Sequence, residues 1–390
     1  GTVRWRRLLL SYVSSFSDRP VEELSPSLRN ALLLGAYQLL ILGMPPHAAV
    51  DSVVRCLKSR GERAYCNGCL RSISRNLGHV SLPRLRHDPV SYMSERYSYP
   101  DWIPSYFMGK AGVPWALAMC RQGNRLPSLS LRVNMAKTDS RSLLEQLTQA
   151  GYDAVKGQLH CSVQVTGGRA VKDFPGYRQG LFFVQDEGAM VISLVLAPEK
   201  GDSVWDVCAA PGGKTTHLAE LVGPTGQVLA TDIDAKRASM VTENAQRMGV
   251  SNVCVREMDA TKDVPEQDFD RVLLDAPCSG LGVLSRNPDL RWNRRKSDIE
   301  PMARRQKALL DNVVGKVKAG GVLVYSTCTL TDEENEMVWN EFLKTHPWFS
   351  PEDPVHFPGG ELMTQDARFR GPGYRYLSPT ESRTDGFFVA

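Results

Sequence analysis

The chain has 390 residues, of which 42% are hydrophobic and 23% charged, with 32 Gly and 24 Pro. This is the composition of a globular protein of two or three domains; it excludes wholesale disorder, collagen and coiled coil, and no run approaches 18 uncharged apolar residues, which excludes a membrane-spanning helix. Formal charge is +4, yet residues 1–90 carry 13 Lys/Arg against 6 Asp/Glu, so the excess is concentrated at the N-terminal end. A polyanion, most simply nucleic acid, is the partner such a basic module implies, a solvated basic surface being the alternative.

Residues 1–80 read as helices. Ser25-Pro26 is a hydroxyl cap before proline at the first helical position, and Leu28, Leu32, Leu33, Leu39 and Leu40 continue an apolar run up to Gly43. The spacing of Ala49, Val50, Val53, Val54 and Leu57 predicts a helix from His47 to Arg60, stopped by Gly61, and a third helix covers Arg63 to Asn76. Pro83, Pro89, Pro100 and Pro104 mark residues 81–105 as a linker or extended crossing segment, followed by helical composition over 106–126. A small α/β unit comes next, with strands at Leu129–Val133, Cys161–Val165 and Leu181–Val184 and a helix at Ser140–Ala150. From residue 200 the pattern alternates between strand and helix. Strands are expected at Ser203–Val207, Gln227–Thr231, Asn252–Arg256, Asp270–Leu274, Gly321–Tyr325 and Gly386–Val389. Such alternation builds a doubly wound α/β sheet, and ligands bind beyond the carboxyl ends of its strands.

After the first of these strands comes Cys208-Ala209-Ala210-Pro211-Gly212-Gly213-Lys214-Thr215, where small residues let a ligand approach the backbone at a helix start. A nucleoside-triphosphate loop needs glycine five residues before Gly213, and that position is Cys208; the dinucleotide fingerprint G-x-G-x-x-G is also missing. S-adenosylmethionine, which has no phosphate to cradle, remains. It needs acids for its ribose hydroxyls, and Asp232, Asp259 and Asp275 follow three successive strands. A single strand-end Asp is often only a helix cap; three beside a Gly-rich turn point to one shared crevice.

The nine cysteines form no secreted disulfide pattern and read as reduced thiols. Cys56, Cys120, Cys161 and Cys254 read as small buried hydrophobes, and Cys208 as structural. Cys66 and Cys69 form one C-x-x-C on a helix with no second ligand pair, so no metal site is expected. Cys278 and Cys328 differ, because each follows a strand of the sheet. C5 of cytosine is a poor nucleophile, and addition of a thiolate to C6 turns the ring into an enamine whose C5 can attack a methyl sulfonium. Asp275 is placed to hydrogen-bond the base at N3 and N4. Thr331-Asp332-Glu333-Glu334 has capping-box form, which predicts a helix starting three residues after Cys328 whose dipole favours a thiolate. Which thiol attacks is left open by the residues alone. Between the two cysteines, Arg286, Arg291, Arg294 and Arg295, with Trp292, Arg304 and Arg305, suit a single-stranded RNA path; a solvated helix face is the plainer reading.

These motifs resemble the bacterial 16S rRNA (cytosine-C5)-methyltransferases of the Sun/RsmB type, within the NSUN group. The carrying residues are Cys208–Lys214 with Thr215, Asp275-Ala276-Pro277-Cys278-Ser279-Gly280, Ser326-Thr327-Cys328 and Asp385-Gly386-Phe387-Phe388, with Gly35–Leu40 and Met44–Val50 similar to a NusB-like RNA-binding domain. The resemblance implies a NusB-like helical domain over 1–85, a linker and small RRM-like α/β domain over 86–180, and a Rossmann-like class I methyltransferase domain over 181–390. It implies Cys328 as nucleophile, Cys278 as the residue assisting product release, and the 208–214 loop with Asp232, Asp259 and Asp275 as contacts of S-adenosylmethionine. It also implies small-subunit ribosomal RNA as partner, no metal, no membrane, and a cytoplasmic (or, in a photosynthetic eukaryote, plastid) location, with oligomeric state open. The family has further helices ahead of the segment like Gly1–Arg7, so the NusB-like domain reads as truncated. Three alternatives stay open: a non-catalytic ribosome assembly factor with a relict cofactor pocket, the same chemistry on another RNA, and methyl transfer to an exocyclic nitrogen or to protein.

Overall fold

Proline begins more helices here than it breaks. In the computed structural model, which describes residues 1–78, 82–167 and 170–390, the Ser25 hydroxyl accepts the Leu28 amide at 3.2 Å and Pro26 opens the helix behind it. A cap of this kind contributes about 1 kcal/mol. The chain divides into two compact units, Gly1–Arg125 with Leu284–Lys296, and Leu126–Val283 with Ser297–Ala390.

The first unit contains α1 (Arg6–Phe16), α2 (Pro26–Leu40), α3 (Pro46–Val54), α4 (Arg60–Arg75), α5 (Pro89–Tyr97) and α6 (Trp102–Gln122). Leu9, Val13, Leu32, Ala36, Val53, Leu70 and Ile73 interlock as its core, joined by Cys66 and Cys69 from the inner face of α4. Two expectations change. The helix begun at Pro46 ends at Val54, because the Cys56 and Leu57 amides turn back to Val53 and Val54; Gly61 lies in the first turn of α4 instead of stopping a helix. The proline-rich stretch expected as a linker holds α5, where Asp88 caps the Ser91 amide and Pro89 occupies the first helical position, whose N–H would have no partner anyway.

The second unit opens with β1 (Leu129–Val133), α7 (Ser140–Gln149), β2 (Asp153–Lys156), β3 (Ser162–Thr166) and β4 (Phe182–Val184), an antiparallel sheet of order β2-β3-β1-β4. β2 went unread because its alternation is masked: all four of its residues are at least partly exposed. β4 pairs with β1, so this sheet closes beyond residue 180. The chain continues through α8 (Glu187–Val195), β5 (Ser203–Asp206), α9 (Gly213–Val222), β6 (Gln227–Asp232), α10 (Ala235–Met248), β7 (Val253–Glu257) and β8 (Phe269–Asp275). The segment Leu284–Lys296, with its single turn α11 (Leu290–Asn293), belongs to the first unit. Then follow α12 (Ile299–Val313), β9 (Val317–Thr327), α13 (Glu336–Thr345), β10 (Arg370–Gly371), β11 (Tyr374–Leu377) and β12 (Phe387–Val389).

The large sheet has order β10-β11-β12-β9-β8-β5-β6-β7. β9, β8, β5, β6 and β7 are parallel, as the alternation predicts, whereas β10, β11 and β12 add an antiparallel edge. Strand order reverses at β5, which has β6 on one side and β8 on the other, so the crevice for a ligand opens beyond the carboxyl ends of these strands. The two sheets of this unit are tied through buried Arg132 of β1, which donates to Gln185 Oε1 and Thr216 Oγ1 at 2.8 Å and pairs with Glu220 of α9 at 2.7 Å.

Arg291, expected on an RNA path, is a correction. It is fully buried in the first unit, stacked 4.0 Å over Tyr99, and its guanidinium donates to the carbonyls of Arg4, Ser98 and Gly123 and to Asn124 Oδ1. Its donors organise buried backbone and do not face solvent. Trp292 likewise packs within this unit, its indole donating to the Val3 carbonyl at 2.7 Å. Arg286 and Arg294 are half-buried and Arg295 is exposed.

Candidate active site

A cavity of roughly 220 Å3 lies at the carboxyl rim of the large sheet, lined by strand-end residues that include Cys208, Asp232, Asp259, Asp275, Cys278 and Cys328. β5 places the 208–214 loop. Gly212 adopts φ +100° at the start of α9, and a Cβ there would meet the Val241 backbone of α10 at 3.1 Å, so the turn is open only to glycine. Of this loop, Cys208 and Ala210 line the cavity. Ala209 packs on Ala230 and Val241, and the α-carbon of Gly213 faces Phe183. Burial, followed by the charges of Asp206, Asp232 and Asp275, pushes the Cys208 thiol far up, which keeps it a neutral packing group.

The acids hold different company. Asp232, buried, receives only long contacts, from the Ala210 and Asp234 amides at 3.3 and 3.2 Å and from Arg237 at 3.4 Å. Its oxygens retain capacity for a pair of hydroxyls. Asp259 is committed locally: Thr261 and Lys262 hold it at 2.6 and 3.0 Å and draw its pKa down to about 2. Asp275 accepts Lys214 Nζ on one oxygen at 2.6 Å and the Ser326 hydroxyl on the other at 2.8 Å. Burial opposes charge on Lys214, but Asp275 outweighs it and the ammonium holds its proton more tightly than usual. Lys214 therefore acts on the site through Asp275.

Asp206 escaped the sequence reading. It is the last residue of β5 and fully buried, and its Oδ2 accepts the Thr215 hydroxyl at 2.6 Å. Its Oδ1 has no partner among the described residues. Burial, with Asp275 and Asp232 adding to it, lifts this carboxyl to about 7. The strand-end rule that selects Asp232 would have found it. An orphaned acid oxygen beside a glycine turn, with an underused buried carboxylate one strand away, fits the amino group and ribose of S-adenosylmethionine.

The two cysteines come from parallel neighbours. Asp275 of β8 stands opposite Ser326 of β9, and the loops beyond them bring Cys278 Sγ and Cys328 Sγ to 3.3 Å. Gly282 lets the loops close: its amide donates to the Cys328 carbonyl at 3.0 Å, and a Cβ there would strike Gly386 O at 2.2 Å and Cys328 O at 2.8 Å. The contact with Cys328, then burial, then the charges of Glu334 and Asp275 push the Cys278 thiol well up. The expected capping box does not form. α13 starts at Glu336, and Glu334 turns inward, fully buried, to the loop that carries Cys278. Ser326 and Glu334 are thus further site residues, both inside motifs already noted, the second with a contact to the Cys278 loop that only the fold reveals.

Comparison with known proteins finds three matching families along the chain. Residues 193–390 match the family described as 16S rRNA methyltransferase RsmB/F, residues 1–75 the NusB family, and residues 99–172 the ferredoxin-like domain of RsmF/B-like methyltransferases. A probable ribosomal RNA small subunit methyltransferase B of Synechocystis is 36% identical over 100% of this chain and 88% of its own length; the Bacillus subtilis counterpart is 33% identical over 100% and 87%. Among solved structures, PH0851 superposes with TM-score 0.82 at 28% identity over 100% of this chain and 87% of that one. The NSun6 of Pyrococcus horikoshii, solved with SFG, superposes with TM-score 0.64 at 24% identity over 75% of this chain and 98% of that one, a likeness of fold. With a NusB-like helical part, a ferredoxin-like sheet and a Rossmann-like sheet whose crevice suits S-adenosylmethionine, the chain belongs to the RsmB/F family of S-adenosylmethionine-dependent 16S rRNA methyltransferases.

Proposed function

We propose that the protein methylates C5 of a cytosine in small-subunit ribosomal RNA through a transient bond between Cys328 Sγ and C6 of the base. The observation that supports this reading is the pair of sulfurs 3.3 Å apart at the cavity wall beside Asp275. Methylation of an exocyclic nitrogen has no use for a thiol, whereas C5 chemistry needs one.

S-adenosylmethionine supplies the electrophilic methyl group. Asp232 holds its ribose hydroxyls and Asp206 its amino group, with Cys208, Ala210 and Asp259 shaping the rest of the pocket. Asp275, held by Lys214 and aimed by Ser326, accepts a hydrogen bond from the N4 amino group of the cytosine. Cys328 adds to C6, which places the ring's electron density on C5. After C5 has gained its methyl group, its proton passes to water, the C5–C6 double bond re-forms and the C6–S bond breaks. The Cys278 S–H then donates to the departing Cys328 sulfur. Unbonded thiols this close require a reducing compartment, and we place the reaction in the cytoplasm. Arg286, Arg294 and Arg295 remain the proposed RNA contacts from the basic run, without Arg291.

Incubation with RNA carrying 5-fluorocytidine, in which the C5 proton cannot leave, tests the chemistry. A covalent protein–RNA adduct mapping by mass spectrometry to Cys328, and lost in Cys328→Ala, is expected. A protein that binds S-adenosylmethionine by calorimetry and methylates RNA with no such adduct acts on another atom. One that binds no S-adenosylmethionine is a relict.

A further inference from the structure

Two sulfurs 3.3 Å apart stand ready at the cavity wall, and something must decide which attacks and which assists. The geometry points to Glu334 as the positioning residue that assigns these roles, by placing a fixed negative charge against the loop of Cys278 so that the proton shared by the two sulfurs stays on Cys278 and Cys328 becomes the nucleophile. This inference rests on the C5 reading.

Glu334 is fully buried and its carboxylate is held by four donors. Two belong to Ser279, next to Cys278: the amide at 2.8 Å and the hydroxyl at 2.5 Å. The third is the Thr331 hydroxyl at 2.7 Å, from the loop that carries Cys328. The fourth is Gln306 Nε2 of α12 at 3.0 Å, which also donates to the Pro277 carbonyl at 2.9 Å. Both neighbours of Cys278 are therefore tied to one acid. Four donors converging on two oxygens match the acceptor sites of a carboxylate. Among the described residues, no Lys, Arg or His pairs with Glu334. On the other side of the pair, Asp275 holds the Lys214 ammonium, whose proton Cys328 also helps to retain. A second negative charge beside Glu334 is thus disfavoured at Cys278. A charge in a dry site acts over such distances far more strongly than in water.

The groups facing Cys278 are Cys328, Glu334, Asp275 and the Tyr325 hydroxyl. The test removes the first and varies the second. In Cys328→Ala protein, iodoacetamide modification of Cys278 is followed by mass spectrometry across pH, with and without Glu334→Gln. Gln keeps the shape and most hydrogen bonds but removes the charge. At about pH 7.5, E334Q should speed alkylation of Cys278 about three- to tenfold, through a higher thiolate fraction partly offset by lower nucleophilicity. With Cys328 present, E334Q should lower the single-turnover methylation rate while leaving S-adenosylmethionine affinity unchanged, and should move part of the 5-fluorocytidine adduct onto Cys278. Equal alkylation rates with and without the Glu334 charge overturn the proposal. So does an alkylation midpoint at the ordinary thiol value in the Cys328→Ala protein, a measurement that leaves Glu334 in place should E334Q not fold. Alkylation needs no cytosine chemistry, so its result stands apart from the adduct experiment. No adduct in the unaltered protein removes the C5 reading, whereas a normal adduct with unchanged alkylation removes only the role of Glu334.

Discussion

Two regions of this molecule each bring two cysteines together, and only one of the two sets them at an open cavity. In the helical unit, Cys66 and Cys69 share the inner face of α4, three residues apart, and pack among Leu70, Ile73 and Val53. Burial, with Cys69 adding to it, lifts Cys66 to about 12, and burial, with Asp18 adding to it, lifts Cys69 to about 11. At the rim of the large sheet, Cys278 and Cys328 lie 50 residues apart in sequence and 3.3 Å apart in space. Their surroundings include an ammonium, two carboxylates and an open cavity. Proximity in sequence made a packing pair, and strand pairing made the pair proposed to react. What separates them is access and fixed charge, not the thiols themselves.

The sharpest way to break this contrast is to remove one sulfur from each region. Cys328→Ala should lower methyl transfer at least about a thousandfold, as expected when a nucleophile is deleted, with folding retained. Cys66→Ala should leave methyl transfer per folded molecule unchanged and lower thermal stability, by about 1 kcal/mol for the small buried atom lost. Labelled methyl transfer and thermal unfolding of both variants decide the matter. If Cys66→Ala loses catalysis as severely as Cys328→Ala while remaining folded, the division into packing and reactive pairs is wrong.

A smaller effect tests the cofactor side of the rim. Asp232 and Asp259 both follow strands, yet Asp259 is already held by Thr261 and Lys262 while Asp232 is not so committed. Asp232→Ala should weaken S-adenosylmethionine binding by about 10- to 100-fold, the worth of a charged hydrogen bond or two. Asp259→Ala should weaken it less. Calorimetry measures both, and equal losses would show that local commitment does not separate the two acids.

Much of this was legible because strand ends carry the chemistry of a doubly wound sheet. Asp232, Asp275, Cys278 and Cys328 follow strands found from alternation alone, and β8 and β9 are neighbours as that topology implies. The misses have physical causes. Pro89 looked like a breaker, but proline at the first helical position starts a helix. β2 is so exposed that no apolar period marks it. Arg291 sits in a basic run, and charge in sequence cannot tell a guanidinium that meets phosphate from one that holds carbonyls. Glu334 fits a capping box by spacing, yet tertiary donors on Ser279 and Gln306 outcompete the local amide.

The last expected effect belongs to Asp206, the fully buried acid at the end of β5. In the folded chain its carboxyl holds a proton up to about 7, against 3.8 for an ordinary Asp. Between those values the folded chain binds the extra proton, so this residue's contribution to stability falls as pH rises through the window and levels off above it. Asp206→Asn removes the titration and keeps the shape. The variant should therefore gain on the unaltered protein from about pH 4 to pH 7, by about 2–4 °C in Tm for each kcal/mol of difference in a unit of this size. S-adenosylmethionine should act in the opposite sense. An amino cation beside Asp206 favours the ionised carboxyl, so affinity in the unaltered protein should tighten as pH rises toward 7 and change little in Asp206→Asn. A constant gap in Tm across that range would place Asp206 in the same class as the buried cysteines of α4, a group whose polarity the fold tolerates but does not use. A widening gap that closes when S-adenosylmethionine is added would place it with Asp275 and Glu334, the acids proposed to act through their charge.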